Sequence, residues 1–160
     1  MDFSAALLRY CETAVTPAWL DFNRALALEL AAGLPEPEIA QLFQRIGQRV
    51  ADAAPLPRCE DLAQLQDAFN AHWSSLGWGF ASLEEQPDAL RIVHACSPLA
   101  RQFGPAASPA WAAAFFEGVY GRWFQSQGLP PTLHVRALPP QQDAAPPSPL
   151  IELRLGRSAA

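Results

Sequence analysis

The stretch GWGFASLEEQPDALRIVHACSP, residues 77–98, carries two adjacent carboxylates, a histidine and a cysteine. Glu84 and Glu85 are acid/base types, but two carboxylates working on one bond must converge from two elements. Neighbours on a strand point to opposite faces. His94 and Cys96 are two apart, so on a strand they share a face and could reach a common metal ion. Zinc takes four ligands, or three and a water, and nothing in the sequence brings His72 or His134 close to them. The stretch is better read as a hairpin with EEQPD as its turn, its acids solvated and its histidine half-buried at a sheet edge. No metal and no cofactor are expected.

The search for a nucleophile ends in the same place. There is no GxSxG, P-loop or GxGxxG. The two glycines of GWGF lead into a strand, not a helix, and suit a tight helix-to-strand turn. Ser74 and Ser75 have no base within sequence reach. Cys11, Cys59 and Cys96 are odd in number, widely spaced and form no CxxC. They read as three small buried hydrophobes, and a disulfide framework is not expected at this size.

The elements that must position these groups fit one domain spanning residues 1–160. Half the residues are hydrophobic and 17% are charged, on the apolar side for a lone monomer. Net charge is −5, and all eleven basic residues are arginines without a cluster. Nucleic-acid binding needs clustered positive charge, so that class is set aside, as is an anionic membrane surface. The N-terminal MDFSAALLRYCETAV has no basic start and no uninterrupted apolar run, and no stretch reaches the ~20 apolar residues of a span. The expectation is a cytoplasmic protein without membrane insertion.

The first half is helical by period. Thr16-Pro17 opens a helix expected to stop at Gly33, with Trp19, Phe22, Leu26 and Leu30 at helical spacing. Ile39, Leu42, Phe43, Ile46 and Val50 make the single stripe of an amphipathic second helix. A third covers about 60–76. Residues 78–84 and 89–96 then alternate as strands, with Leu90, Ile92 and His94 on one face. A helix from Ser108-Pro109 to about Gln125 follows, then strands at 132–138 and about 150–156. Five prolines within 139–149 exclude regular structure there and predict an exposed loop, read as a spacer or a partner-docking surface. The fold class is α+β: N-terminal helices packed with a small antiparallel sheet of two hairpins and a central aromatic helix.

That helix, SPAWAAAFFEGVYGRWFQSQG, is apolar on two sides. Trp111, Phe115, Gly118 and Arg122 form one line; Phe116, Tyr120, Trp123 and Gln127 form another about 100° away. One sheet covers only one side. The other meets either the first helices or a second chain, and Gly118 and Gly121 allow another backbone to come close. On the second alternative Phe116, Tyr120 and Trp123 are the expected oligomer interface.

LGWGFASLEEQPDALRIVH, FEGVYGRWFQSQG and the terminal IELRLGRSAA, in this order and spacing, resemble the D subunit of the bacterial cellulose synthase complex, as does the opening DFSAALL. The likeness covers roughly residues 62–160. It implies a non-enzymatic accessory protein of α+β fold that assembles as a homo-octamer, a tetramer of dimers. It also implies a role in guiding β-1,4-glucan chains or in organising synthase complexes for ordered fibrils. Other cellulose synthase subunits are then the partners, and the site is the cytoplasm beside the membrane-bound complex, with the periplasm as alternative. By the same resemblance Met1, Asp2, Phe3 and Ser4 are candidate lining of a glucan passage. Two other readings compete: a small-molecule sensor with an apolar pocket, and a hydrolase using His94 or His134.

Overall fold

Helices in this chain start and stop at its own punctuation. A computed structural model describes residues 3–12, 17–139 and 149–157. The first four helices are α1 (Phe3–Glu12), α2 (Pro17–Gly33), α3 (Glu36–Ala53) and α4 (Leu62–Leu76). Glu36 and Glu38 sit in the first turn of α3, where carboxylates favour the positive end of the helix dipole. Asp61 caps α4 by accepting from the Gln64 N–H at 2.8 Å, while the Gln64 amide oxygen accepts from the Glu60 N–H at 3.0 Å. Gly77 ends the helix at φ 67°. Gly79, at φ 81°, then lies so close to the Ala95 carbonyl that any Cβ would collide with it. The GWG glycines therefore serve the tight helix-to-strand turn expected of them.

Strands β1 (Phe80–Gln86) and β2 (Ala89–Ala95) form a hairpin across Pro87 and Asp88. Glu84 and Glu85 thus belong to the strand, and the turn is shorter than EEQPD. A short helix α5 (Leu99–Phe103) leads to α6 (Pro109–Ser126), which Ser108 caps through the Ala110 N–H at 3.2 Å. The chain closes with β3 (Leu133–Ala137) and β4 (Leu150–Arg157). All four strands make one antiparallel sheet in the order β1-β2-β4-β3. The α+β class is as expected. Sequence period did not show α1 or α5, nor that the two hairpins join edge to edge.

The joining moves His94. Because β4 pairs with β2, the histidine lies on a central strand and is fully buried, not at a sheet edge. The outer edges are also closed. Asn70 of α4 donates to the Ala81 carbonyl at 2.9 Å and accepts from its N–H at 2.7 Å, and the Gln66 side chain accepts from the Leu83 N–H at 2.7 Å. On β3, Glu117 accepts from the Ala137 N–H at 2.6 Å. Helix side chains thus occupy backbone groups that would otherwise recruit another strand.

The core lies between the sheet and α3, with α6 in the middle. Ile92, Leu153 and Val135 face inward from the sheet, and Ile39, Phe43 and Ala51 from α3. Cys11 and Cys96 are joined in a disulfide 85 residues apart; Cys59 alone is free. The expectation of three unpaired cysteines is corrected. Pairing depends on where α1 meets the end of β2, a through-space contact that spacing does not reveal.

The α3–α6 contact is the most extensive between elements, and glycine permits it from both sides. A Cβ at Gly47 would strike the Phe115 carbonyl, and one at Gly118 the Gln44 carbonyl. Gly118 does admit another backbone, that of α3 in its own chain; Gly121 faces open space. Gly47→Ala and Gly118→Ala should each destabilise by about 2–3 kcal/mol, because the obstacle is rigid backbone. Gly121→Ala should stabilise by about 0.5–1 kcal/mol. Chemical denaturation of the three variants measures both signs.

Candidate functional site

Residues with chemical potential fall into three places: a sealed polar cluster, an open groove and a bare helix face. The cluster centres on His94. Its Nε2 lies 2.9 Å from the Trp78 carbonyl, which can only accept, so Nε2 carries the proton. Nδ1 is then the acceptor at 2.7 Å from the Tyr120 hydroxyl, and that hydroxyl in turn receives the Trp73 indole N–H at 3.0 Å. Every hydrogen-bonding group in this chain of contacts has a partner. Burial holds the His94 pKa down to about 3, opposed by the Trp78 hydrogen bond. Burial also raises the Tyr120 phenol well above its ordinary value. A neutral histidine with no exposed surface cannot pass a proton to a substrate. It locks β2, α4, α6 and the GWG turn together.

The remaining reactive types are dispersed. Glu84 pairs with Arg91 at 2.9 Å on the outer sheet face, and Arg91 also holds Glu152 at 3.0 Å. Cys96 is consumed by its disulfide, so it cannot join His94 on a metal. Among the described residues no group of three His, Cys, Asp or Glu side chains could hold a metal ion. His72 lies at 5.0 Å and 5.2 Å, ring to ring, from Trp73 and Trp123, and burial lowers its pKa. Ser75 donates to the His72 carbonyl at 2.7 Å. His134 lies on β3, apart from both.

A groove of about 220 Å³ lies at the C-terminal ends of α3 and α6, lined by Ala51, Asp52, Pro55, Arg122, Trp123, Gln125 and Ser126. Asp52 and Arg122 are ion-paired at its rim, above a lining to which Ala51, Pro55 and Trp123 give a largely apolar character. It falls short of the roughly 300–1,000 Å³ of a small-molecule pocket.

The residues expected at an oligomer interface are buried within the single chain. Phe116, Tyr120 and Trp123 are 0%, 0% and 1% exposed in the single chain. Phe116 stacks on His94 at 3.9 Å between ring centres, and Trp123 on Phe69 at 5.2 Å, donating its N–H to the Ala54 carbonyl at 3.0 Å. Their side chains are covered by residues of their own chain, Trp123 with one side toward the groove. The two apolar sides of α6 are covered by the sheet and by α3. Of the passage residues, Met1 and Asp2 lie outside the described residues; Phe3 and Ser4 fall in α1, their side chains outside the description.

The bare apolar surface is on α2. Ala27 is its one buried residue, while Trp19 and Phe22 are 60% and 61% exposed, Leu26 is exposed beside them and Leu28 is exposed on another face. Trp19, Phe22 and Leu26 share a face, the two rings meeting edge-on at 6.0 Å. Their helical spacing was legible in the sequence; that the described residues leave them exposed was not.

Two comparisons bear on this arrangement. The family of cellulose synthase D subunits matches residues 6–147. The chain is also similar to the cellulose synthase operon protein D of Komagataeibacter xylinus and of Komagataeibacter sucrofermentans, 38% identical over 90 residues, 54% of this chain and 56% of theirs. A further such protein from Komagataeibacter xylinus is 36% identical over 91 residues. The chain spans about half the length of the curated relatives it matches.

The cluster predicts a pH dependence of stability. The folded pKa of His94 lies below its unfolded value, so the unfolded chain takes up the proton first. Stability is full above pH ~6.5 and falls as pH drops toward ~3, by about 3 kcal/mol at pH ~4.5. His72, shifted the same way, adds to the slope. Denaturant midpoints between pH 7 and 4.5 should show this loss, with a shallower slope in His94→Gln. Tyr120→Phe, which strands His94 Nδ1 and the Trp73 N–H, should cost about 3 kcal/mol at pH 7.

Proposed function

The chain belongs to the cellulose synthase D-subunit family, and on that premise we propose that it is a non-catalytic structural subunit of a bacterial cellulose synthase machinery. Copies close into an octameric ring, a tetramer of dimers, that guides nascent β-1,4-glucan chains into ordered fibrils. The observation that carries self-assembly is the α2 stripe. The core cluster does not include Trp19, Phe22 and Leu26, yet the two rings are more than half exposed and Leu26 is partly so. A contiguous apolar patch of this kind marks an interaction surface, and aromatic rings are enriched in interface cores. Both sheet edges are occupied by helix side chains, so copies meet through helices rather than by extending the sheet.

Guidance asks little of any single site. A sliding polymer needs many weak contacts of similar strength, and a deep pocket would stall it. The segment Met1–Ser4 remains the proposed passage lining. The sealing of His94 supports a protein without chemistry of its own. No helix among the described residues is long and apolar enough to cross a membrane; the other cellulose synthase subunits are its proposed partners. The Cys11–Cys96 disulfide, a type of bond that persists in oxidising surroundings, supports the periplasmic side over the cytoplasmic one.

Light scattering should give a particle of about eight times the 17.4 kDa chain. The double variant Trp19→Ser/Phe22→Ser should shift that mass to dimer or monomer with its denaturant midpoint unchanged; an intact octamer would remove α2 from the interface. Deleting residues 1–7 should leave the ring but disturb fibril order in a cellulose-producing host. Unchanged cellulose would count against a role for that segment.

A further inference from the structure

Leu7, Cys11, Ala95 and Cys96 form a small apolar cluster apart from the main core. Cys11 and Cys96, 3% and 1% exposed, are its covalent centre. Among the described residues, α1 is attached to the body through this cluster. Ala95 lies on the face of β2 opposite His94, so α1 sits at one end of the outer sheet face. In register with Ala95 on the neighbouring strands stand Phe80 and Leu150, both exposed, at 43% and 37%.

A second observation concerns the backbone. Among the described residues Cys96 is the one non-glycine with a left-handed φ, 61°, a conformation that a Cβ disfavours. Its N–H donates to the Pro149 carbonyl at 3.1 Å, immediately before β4. One strained residue therefore joins α1, the end of β2 and the point where the chain enters β4. Such strain persists only where the surroundings hold it, and here the crosslink is part of what holds it.

We propose that the Cys11–Cys96 disulfide is a redox-sensitive latch, which holds α1 over the end of the outer sheet face and on reduction by a dithiol releases it. The released state uncovers Ala95 and so joins the already exposed Phe80 and Leu150 into one continuous apolar row. A thiolate of the dithiol attacks one sulfur and displaces the other as a thiolate, which takes a proton; the reductant's second thiol then resolves the mixed disulfide. Two electrons and two protons pass to the protein, giving thiols at Cys11 and Cys96 and a disulfide in the reductant. Both sulfurs are buried, so attack follows local opening of α1. With the crosslink gone, Cys96 is free to leave its left-handed conformation. The latch does not depend on the assembly reading above.

The test joins thiol counting to amide hydrogen exchange on the full chain. After incubation with oxidised glutathione, alkylation in denaturant should find one thiol, that of Cys59, and three after dithiothreitol. Reduction should speed exchange in α1 at least tenfold while the centres of α3 and α6 keep their rates. Cys11→Ser should show the fast α1 exchange without reductant; if that variant fails to fold, the oxidised and reduced wild-type pair decides alone. Binding of an environment-sensitive naphthalene sulfonate dye should rise on reduction. Three thiols in the oxidised sample, or equal α1 exchange in both states, would overturn the latch. A dye signal that does not change would overturn the uncovered row.

Discussion

Two glycines facing each other across a helix pair set the geometry of this molecule. Gly47 on α3 and Gly118 on α6 each touch the other helix's backbone. A single methyl group at either would separate the helices. Close contact lets α3 cover one side of α6 while the sheet covers the other. A helix with aromatic residues around most of its circumference thereby becomes the middle layer of one chain. Trp111, Phe115 and Phe43 fill the interface on the α3 side, and Phe116, Tyr120 and His94 that on the sheet side.

Polar groups buried with these rings narrow the packing to one solution. Apolar contacts alone tolerate slippage; hydrogen bonds do not. Trp73 reaches Tyr120, Tyr120 reaches His94, and His94 reaches the Trp78 carbonyl. Trp111 donates to Glu36 and Trp123 to the Ala54 carbonyl. These bonds fix how far each helix can slide along its neighbour. They also explain why a histidine in a hairpin, suggestive as chemistry, serves architecture: the same contacts that satisfy it close it to solvent.

Much of this was legible from local pattern. The helices at 17–33, 36–53, 62–76 and 109–126 follow apolar spacing and caps, and the strands follow alternation. What escaped depends on contacts between distant residues. The five-residue α5 is too short to show a period. His94 looked like an edge residue because β4, its second neighbour, comes more than fifty residues later. The Cys11–Cys96 bond spans 85 residues. The apolar surplus of α6 was visible, but the sequence left open whether its own chain or another covered it. The answer is its own. The uncovered surplus lies on α2, whose Trp19, Phe22 and Leu26 carry the same kind of stripe that α3 buries through Ile39 and Phe43 while leaving Ile46 exposed. Spacing alone does not distinguish a stripe that packs inward from one left for a partner.

A body finished by α3 and α6, with separate apolar surface on α2, is suited to act as a repeated unit: it can fold before it assembles. Hydrogen exchange on the assembled protein and on a form dissociated at the α2 stripe tests this most directly. Amides in the centres of α3 and α6 should exchange at the same slow rates in both, while those of α2 exchange markedly faster in the dissociated form. If protection of α6 is lost together with that of α2, the core is completed only between copies, and the account is contradicted.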